Sequence, residues 1–296
     1  MRAGSASGVL AGAGAFLIWG LFPLFWSLFG DVPALQLLAH RALWCAVAVW
    51  CLLLARRDLA WIRQISPRVL LLLAIGGLLI SVNWGMYVWA VISGHVIDTS
   101  LGYFITPLVS VVVAVWVLRE QLGVAQRWAV GLAAAGVLYL AWQLGQPPWI
   151  ALTLAFSFGF YGLVRKLAPF DSVRGLAIES SVMLLPAVLY LTWCELSGQG
   201  AFLHGRWRDD LLLIAGGPIT AVPLVLFAFS AQRISFLSLG IMQYIAPSVA
   251  LLLGIWVYHE PFGTARQVAF GCIWAALLVF TVDALLRYRA SLSRSG

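Results

Sequence analysis

The chain carries little charge for its length. Only 10% of its 296 residues are Asp, Glu, Lys or Arg, and lysine occurs once, at Lys166. Soluble domains contain about 25% charged residues, because folding leaves a large surface in water that charge must cover. The shortage of charge therefore argues against a soluble enzyme and predicts that lipid is the solvent of this protein.

Motifs for metal, disulfide or nucleotide chemistry are also missing. The four cysteines form no CxxC pair, and no GxxxxG precedes Lys166, so the sequence predicts neither a metal knuckle nor a phosphate-binding loop. His259 and Glu260 begin an HExxH pattern that fails, because Gly263 stands where the second histidine is needed. We expect no cofactor, no metal and no direct use of ATP.

Apolar residues dominate what is present. Hydrophobic residues make up 62% of the chain, which includes 15 Trp and 28 Gly, and mean hydropathy is +0.97. Each apolar run is continuous and about 20 residues long, which is typical of membrane-spanning helices and not of barrel strands. The predicted fold is an all-α integral membrane protein with ten transmembrane helices. The predicted spans are 9–29, 35–55, 68–92, 97–118, 125–143, 148–167, 174–196, 210–232, 236–258 and 264–286.

The net charge of +7 is explained by membrane topology. If both termini are cytoplasmic, fourteen of the 18 basic residues, Arg165 and Lys166 among them, fall in inner loops. The outer loops hold only Arg206, Arg208 and Arg266. Inner loops of membrane proteins are enriched in Lys and Arg, so cytoplasmic N- and C-termini are predicted and no nucleic-acid partner is expected. Arg41 is the one basic residue that falls inside a span.

An internal repeat relates the two halves of the chain. The offset is 140 residues, as from position 76 to position 216, and it continues without a gap from the third span to the tenth. Each unit contains five helices, and an odd number places the second unit upside down relative to the first. Inverted repeats are typical of secondary transporters, whose substrate site lies between the halves near the midplane. The predicted units are 1–143 and 148–287, followed by a short cytoplasmic tail, 288–296; the repeated pairs include Gly76 and Gly216, Gly77 and Gly217, Pro107 and Pro247, and Glu120 and Glu260.

Six stretches of the sequence resemble a known family. They are Trp19–Pro23, Ala39–Trp44, Asn83–Val91, Ser100–Leu108, Tyr161–Lys166 and Gln243–Pro247. With these stretches, which span nearly the whole chain, the sequence resembles the drug/metabolite transporter superfamily and, within it, the EamA-type ten-helix exporters of the RarD kind. The resemblance implies two inverted five-helix repeats in the bacterial cytoplasmic membrane and export of small metabolites or drugs. It does not specify the substrate.

Two ionisable residues inside spans are candidates for transport chemistry. Arg41, beside His40 in the second span, either binds an anionic group of the substrate or pairs with a carboxylate that titrates during transport. Otherwise it forms a structural bridge or reaches the lipid headgroups. Glu179 lies in the seventh span, nearly at the inverted counterpart of Arg41. It is either a proton-coupling carboxylate or a helix-end carboxylate that faces water.

The remaining candidates are mainly neutral and aromatic. Aromatic faces with few hydrogen-bond donors suit an amphipathic or aromatic solute, although ordinary helix packing is the alternative for each residue. Prolines inside spans free backbone carbonyls, so some of them are candidate hinges. The predicted substrate pathway comprises Arg41, His40, Trp19, Asn83, Trp84, Tyr87, Tyr103, Gln243 and Tyr244; the hinge and packing residues are Pro23, Pro107, Pro223, Pro247, Gly77 and Gly254.

Together these features predict a secondary active transporter that exports a small organic molecule by alternating access. Uptake of a related solute is the nearest variant. A lipid flippase and an intramembrane enzyme acting on lipid-linked substrates are the alternatives from other classes, and the sequence shows no clustered acid, base or nucleophile for the enzyme. The expected partners are a small-molecule solute and membrane lipid, with a homodimer left open.

Overall fold

The regular secondary structure of the described residues is helical. The computed structural model describes residues 3–29, 32–144, 148–168, 170–259 and 263–292. Within these ranges the α-helices are α1 (Ala3–Trp26), α2 (Ala34–Ala55), α3 (Pro67–Ile92), α4 (Val96–Trp116), α5 (Val124–Leu144), α6 (Trp149–Leu167), α7 (Ser172–Leu196), α8 (Trp207–Ala231), α9 (Phe236–Met242), α10 (Ile245–Trp256) and α11 (Thr264–Leu292), with a short 3₁₀ helix at Ala60–Arg63.

Polar residues in the loops set several helix starts. The Ser66 hydroxyl accepts the Val69 N–H ahead of α3, whose first residue is Pro67. The Asp171 carboxylate accepts the N–H groups of Val173 and Arg174 at the start of α7. Such caps satisfy amides that the first helical turn leaves without partners. The apolar runs are therefore bounded by local chemistry as well as by hydropathy.

The predicted all-α membrane fold is confirmed. Nine helical segments in the described ranges are long and apolar enough to cross a membrane. The tenth predicted span corresponds to α11, in which the apolar stretch Gln267–Asp283 is shorter. Because α11 continues to Leu292, the predicted tail 288–296 begins inside a helix.

The ninth span is broken in the middle. The helix α9 ends at Met242 and α10 begins at Ile245, so Gln243 and Tyr244 form the junction. Proline has no N–H to bond to the carbonyl four residues earlier, and its ring crowds that carbonyl. Pro247 therefore releases the carbonyl of Gln243 at the point where the helix breaks. The corresponding helix of the first half, α4, contains Pro107 and remains a single helix.

Helix packing follows the repeat. The pair α1 and α8 has its counterpart in α6 and α3, and the pair α1 and α10 has its counterpart in α6 and α4. The helices α2 and α7 pack against each other, as do α5 and α11. Exchanging the two halves thus leaves the main contacts unchanged, as an inverted repeat predicts. The bounds of the two units, 1–143 and 148–287, stay predictions.

Two glycines related by the repeat allow close approach between the halves. A Cβ at Gly77 on α3 would lie 2.8 Å from the Glu179 carbonyl oxygen on α7. A Cβ at Gly217 on α8 would overlap the Trp44 backbone on α2. Small residues let helix backbones approach closely in membranes. Gly77 and Gly217 therefore lie where two helix backbones approach closely, and the packing role predicted for Gly77 stays a prediction.

Candidate functional site

A small cavity lies between the two halves of the protein. Its volume is about 10 Å³, which is about enough for one water molecule. Helices α2 and α3 of the first half form one wall, and α6, α7 and α8 of the second half form the other. The lining residues are Ala42, Cys45, Ile80, Trp84, Tyr161, Leu176, Glu179, Ser180, Met183 and Leu224.

A buried ion pair lies on the second-half wall of this cavity. The Arg165 guanidinium on α6 donates to Glu179 Oε1 on α7 at 3.2 Å, and the Tyr161 hydroxyl donates to Glu179 Oε2 at 3.1 Å. Arg165 also donates to the Ser172 carbonyl at 3.2 Å. None of the three side chains is more than 1% exposed. Both Glu179 oxygens are thus partnered, so the carboxylate belongs to a network and does not face bulk water.

Two glycines make room for the ion pair. A Cβ at Gly76 on α3 would lie 3.1 Å from Glu179 Oε1. A Cβ at Gly175 on α7 would overlap the Arg165 guanidinium. Because Gly76 lacks a side chain, Glu179 fits directly against α3 of the other half, and because Gly175 lacks one, Arg165 fits against α7. A change in the position of Glu179 would therefore alter the packing between α7 and α3, where the two halves meet.

An aromatic cage surrounds Arg41 on the first-half side. The guanidinium carbon lies 3.8 Å from the centroid of the Trp84 ring and 5.5 Å from that of Trp26. The ring centroids of Tyr87 on α3 and Tyr103 on α4 are 6.0 Å apart, and both tyrosines lie within electrostatic reach of Arg41. Among the described residues, no carboxylate lies within 4 Å of this guanidinium. The site is a cation held by ring faces.

Trp84 connects the two sites. Its ring lies beneath Arg41 and also lines the cavity that reaches Glu179. The Trp84 indole thus lies between the charge of Arg41 and the cavity that Glu179 lines. The structure thus brings together four predicted pathway residues, Arg41, Trp84, Tyr87 and Tyr103, and places Glu179 on the far side of the cavity.

Three further predicted residues hold helices together. The Asn83 amide donates to the Leu154 carbonyl at 2.9 Å and to the Ser157 hydroxyl at 3.0 Å on α6. The Gln243 amide donates to Ser110 Oγ on α4 at 2.9 Å. The Tyr244 hydroxyl also donates to α4, at the Phe104 carbonyl. These donor groups thus bond between helices and outside the cage, while the Gln243 side-chain oxygen is buried and has no hydrogen-bond partner among the described residues.

The two remaining pathway candidates contact other rings. Trp19 lies in an aromatic cluster, with ring centroids 5.6 Å from Phe16, 5.6 Å from Phe158 and 5.7 Å from Phe227. The His40 ring lies 5.4 Å from Phe202, in the loop between α7 and α8. The cluster around Trp19 spans α1, α6 and α8, so it joins the two halves by packing.

The candidate hinges occupy two kinds of position. Pro23, Pro107 and Pro223 lie inside α1, α4 and α8. Pro247 lies in the first turn of α10, just after the break at Gln243 and Tyr244. Gly254 is buried in α10. The structure thus provides one broken helix at a predicted hinge, in the second half.

Polar contacts join the halves at the end of the bundle predicted to be cytoplasmic. The Glu120 carboxylate, after α4, accepts the N–H groups of Phe236 and Leu237 at 2.7 and 2.8 Å. Arg174 at the start of α7 donates twice to Asp58 after α2, at 2.7 and 2.9 Å. Glu260, the repeat partner of Glu120, lies outside the described residues. These contacts join the two halves at this end of the bundle.

Arg165, Tyr161 and Trp26 are site residues that the sequence reasoning missed. The loop count places Arg165 in a cytoplasmic loop, whereas the structure places it inside α6 and fully buried. One signal was available, because Tyr161 and Arg165 are four residues apart and share a helix face. Within the described ranges, no group of three His, Cys, Asp or Glu side chains is arranged to hold a metal.

Comparison with known proteins identifies the family. The EamA-like transporter family matches residues 6–142. The chain is 45% identical to "Protein RarD" of Streptomyces exfoliatus over 290 residues, which covers 97% of this chain and 92% of that one. The chain belongs to the EamA-like transporter family. Within the drug/metabolite transporter superfamily, its close relatives make it a RarD-type permease.

A second relative matches the whole chain, and a solved structure has a similar fold. "Uncharacterized transporter YojE" of Bacillus subtilis (strain 168) is 43% identical and covers 99% of each chain. A solved structure with 22% identity has a TM-score of 0.70, covering 95% of this chain and 99% of the other; at this identity it shows the fold alone. The protein is thus a multi-pass membrane protein of a transporter family.

Proposed function

We propose that this protein is a secondary transporter that exports a small organic solute across the bacterial cytoplasmic membrane by alternating access. The observation that carries the proposal is the cavity between the halves, because its walls come from α2 and α3 on one side and from α6, α7 and α8 on the other. A site shared by two inverted halves changes its exposure when one half rocks against the other.

The proposed cycle breaks and remakes the polar contacts that join the halves at the predicted cytoplasmic end. The contacts of Glu120 and of Arg174 with Asp58 hold the predicted cytoplasmic end closed. Tyr103 is 47% exposed, so in this cycle solute reaches the aromatic cage past the Tyr103 ring. Opening toward the cytoplasm requires these polar contacts to break, while Trp84 moves away from Arg41 to let the solute pass.

The energy would come from a proton gradient or from the gradient of the solute itself. Glu179 is the candidate proton carrier. Its contacts with Arg165 and Tyr161 would have to change when it binds a proton. Protonation of Glu179 removes the charge that Arg165 is paired with, so it loosens the link between α6 and α7 beside Gly76 and Gly77. Loosening this link is the step by which a proton would alter the contact between the halves.

Transport can be tested with purified protein in liposomes under an imposed pH gradient. Amino acids, aromatic drugs and nucleosides are screened as solutes, with a trapped pH-sensitive dye to follow protons. We expect flux of at least one organic solute, driven faster by the gradient. In the E179Q variant the gradient should lose its effect, while the matched E195Q variant, changed at an exposed carboxylate, should behave as wild type.

The competing functions give different results in the same experiment. Chemical conversion of a lipid headgroup without solute movement would show an intramembrane enzyme. Transfer of labelled long-chain lipid between leaflets, with no flux of any water-soluble solute, would show a flippase. Accumulation against the proposed direction would show an importer. Proton dependence that E179Q leaves unchanged would remove Glu179 from the coupling mechanism.

A further inference from the structure

We propose that Arg41 and the rings around it form a binding subsite for the anionic group of the solute, so that this protein carries small organic acids with a planar apolar part. The inference rests on the proposed transport function and names the substrate class. Arg41 lies seven residues beyond the first residue of α2, and the surrounding rings come from α1, α3 and α4.

The charge of Arg41 lacks a counterion among the described residues. Arg165 is paired with Glu179 and Arg174 with Asp58, both within 3.2 Å. Arg41 Nε is buried and makes no hydrogen bond to any described residue. A cation over an indole face gains about 2 kcal/mol when desolvated, much less than the several kcal/mol lost when an ion leaves water. An incoming anion would supply the missing compensation.

The geometry of the cage favours a planar anion. The guanidinium carbon lies 3.8 Å from the centroid of the Trp84 ring, so the ring covers one side of the group and leaves N–H donors free to meet an anion. A carboxylate or sulfonate that approaches in the plane of the guanidinium can accept two parallel hydrogen bonds, which is the geometry that Arg provides and Lys does not. The rings of Tyr87 and Tyr103 then lie where the apolar part of the solute can stack.

A lipid headgroup is the other source of such an anion. A snorkelling arginine extends its head into the interface, whereas this guanidinium lies between the rings of Trp26 and Trp84. Trp84 also lines the cavity between the halves. The continuity of the cage with this cavity favours a solute that passes through the protein over a lipid that stays at its edge.

The test compares two probes of almost equal shape on purified protein in detergent. The probe 2-naphthalenesulfonate is an anion, and 2-naphthalenesulfonamide is neutral. Because a ligand that binds only the folded protein stabilises it, we expect the sulfonate to raise the thermal midpoint by several degrees and the sulfonamide to raise it by less than a fifth of that. Equal shifts for the two probes would overturn the inference without any variant.

Variants then locate the effect. R41Q should abolish the sulfonate shift, and R41K should weaken sulfonate binding at least tenfold, because lysine cannot stack and donate two parallel hydrogen bonds. The matched control is R233Q, since Arg233 also lies over a ring, that of Phe229 at 3.4 Å, but on the exposed surface. R233Q should keep the full shift. A shift that persists in R41Q contradicts the assignment.

Two further measurements separate this inference from the proposed function. If phosphatidylglycerol gives an Arg41-dependent shift and the sulfonate gives none, the site binds lipid and the solute assignment is overturned. Flux of a solute that R41Q leaves unchanged overturns the inference and leaves transport standing. Arg41-dependent binding of the sulfonate, without flux of any solute in liposomes, supports the anion-binding subsite and overturns the transport function.

Discussion

Arg41 in the first half and Glu179 in the second occupy corresponding places but have different surroundings. Each lies seven residues beyond the start of its helix, in α2 and α7. Glu179 has Arg165 and Tyr161 as partners. Arg41 has only ring faces as described neighbours of its charge. Each half thus carries an ionisable residue at a similar depth in its helix, which is paired in the second half and which we propose binds a ligand in the first.

The largest expected effect comes from the paired site. Replacing Glu179 by Ala leaves Arg165 buried without its counterion, which should lower the free energy of unfolding by about 3–5 kcal/mol. Thermal or denaturant unfolding in detergent measures the loss. The matched control is Glu195→Ala, since Glu195 pairs with His204 at 2.6 Å on the exposed surface. Exposed pairs contribute about 0–1 kcal/mol.

A double variant sharpens this prediction. Replacing Arg165 by Met and Glu179 by Leu together removes both charges, so most of the stability lost in Glu179→Ala should return. If Glu179→Ala is as stable as Glu195→Ala, the network does not hold α6 and α7 together. In that case the contrast between the two halves would disappear.

The next effect concerns the two glycines of the repeat. Gly217→Ala places a methyl group into the Trp44 backbone, and Gly77→Ala places one 2.8 Å from the Glu179 carbonyl. Overpacking of this kind should cost about 1–3 kcal/mol, with the larger loss at Gly217. Unfolding midpoints of the two variants measure the difference.

The control for these substitutions is Gly85→Ala in α3. A Cβ at Gly85 meets no atom within 4 Å, and alanine favours a helix over glycine by up to about 1 kcal/mol. Gly85→Ala should therefore leave stability unchanged or raise it. If all three variants behave alike, helix propensity and not close approach decides the outcome.

The smallest expected effect is that of Arg41→Gln on stability. The substitution loses two ring contacts but also removes a charge that has no described counterion, and these effects oppose each other. We expect the free energy of unfolding to change by about 1 kcal/mol or less. A loss as large as that of Glu179→Ala would instead support the structural bridge considered for Arg41.

Different parts of the structure were predictable to different degrees. The spans were predictable because an apolar run of about 20 residues has one stable form in lipid, a helix whose backbone groups are satisfied internally. The exception is the break at Gln243 and Tyr244, because a continuous apolar run gives no sign of it. Pro247 alone does not predict the break either, because Pro107 occupies the same position in the repeat and α4 is continuous.

The candidate site was predictable only in part. Arg41 could be singled out because it is the basic residue that no loop contains, and its aromatic neighbours come from stretches rich in Trp and Tyr. Arg165 was assigned to a loop because it lies at the end of an apolar run beside Lys166. A hydropathy profile treats each residue by its position along the chain. It therefore cannot show that Arg165 pairs with Glu179, fourteen residues further on.

Composition and spacing along the chain are enough to predict that it is helical, spans the membrane and repeats its helices at a constant offset, because each of these properties is local. Which buried charge has a partner follows from the packing of the helices. Pairing depends on the approach of separate helices, which Gly76 and Gly175 permit around Arg165 and Glu179. The same packing places Trp84 between Arg41 and the cavity, where the two halves meet.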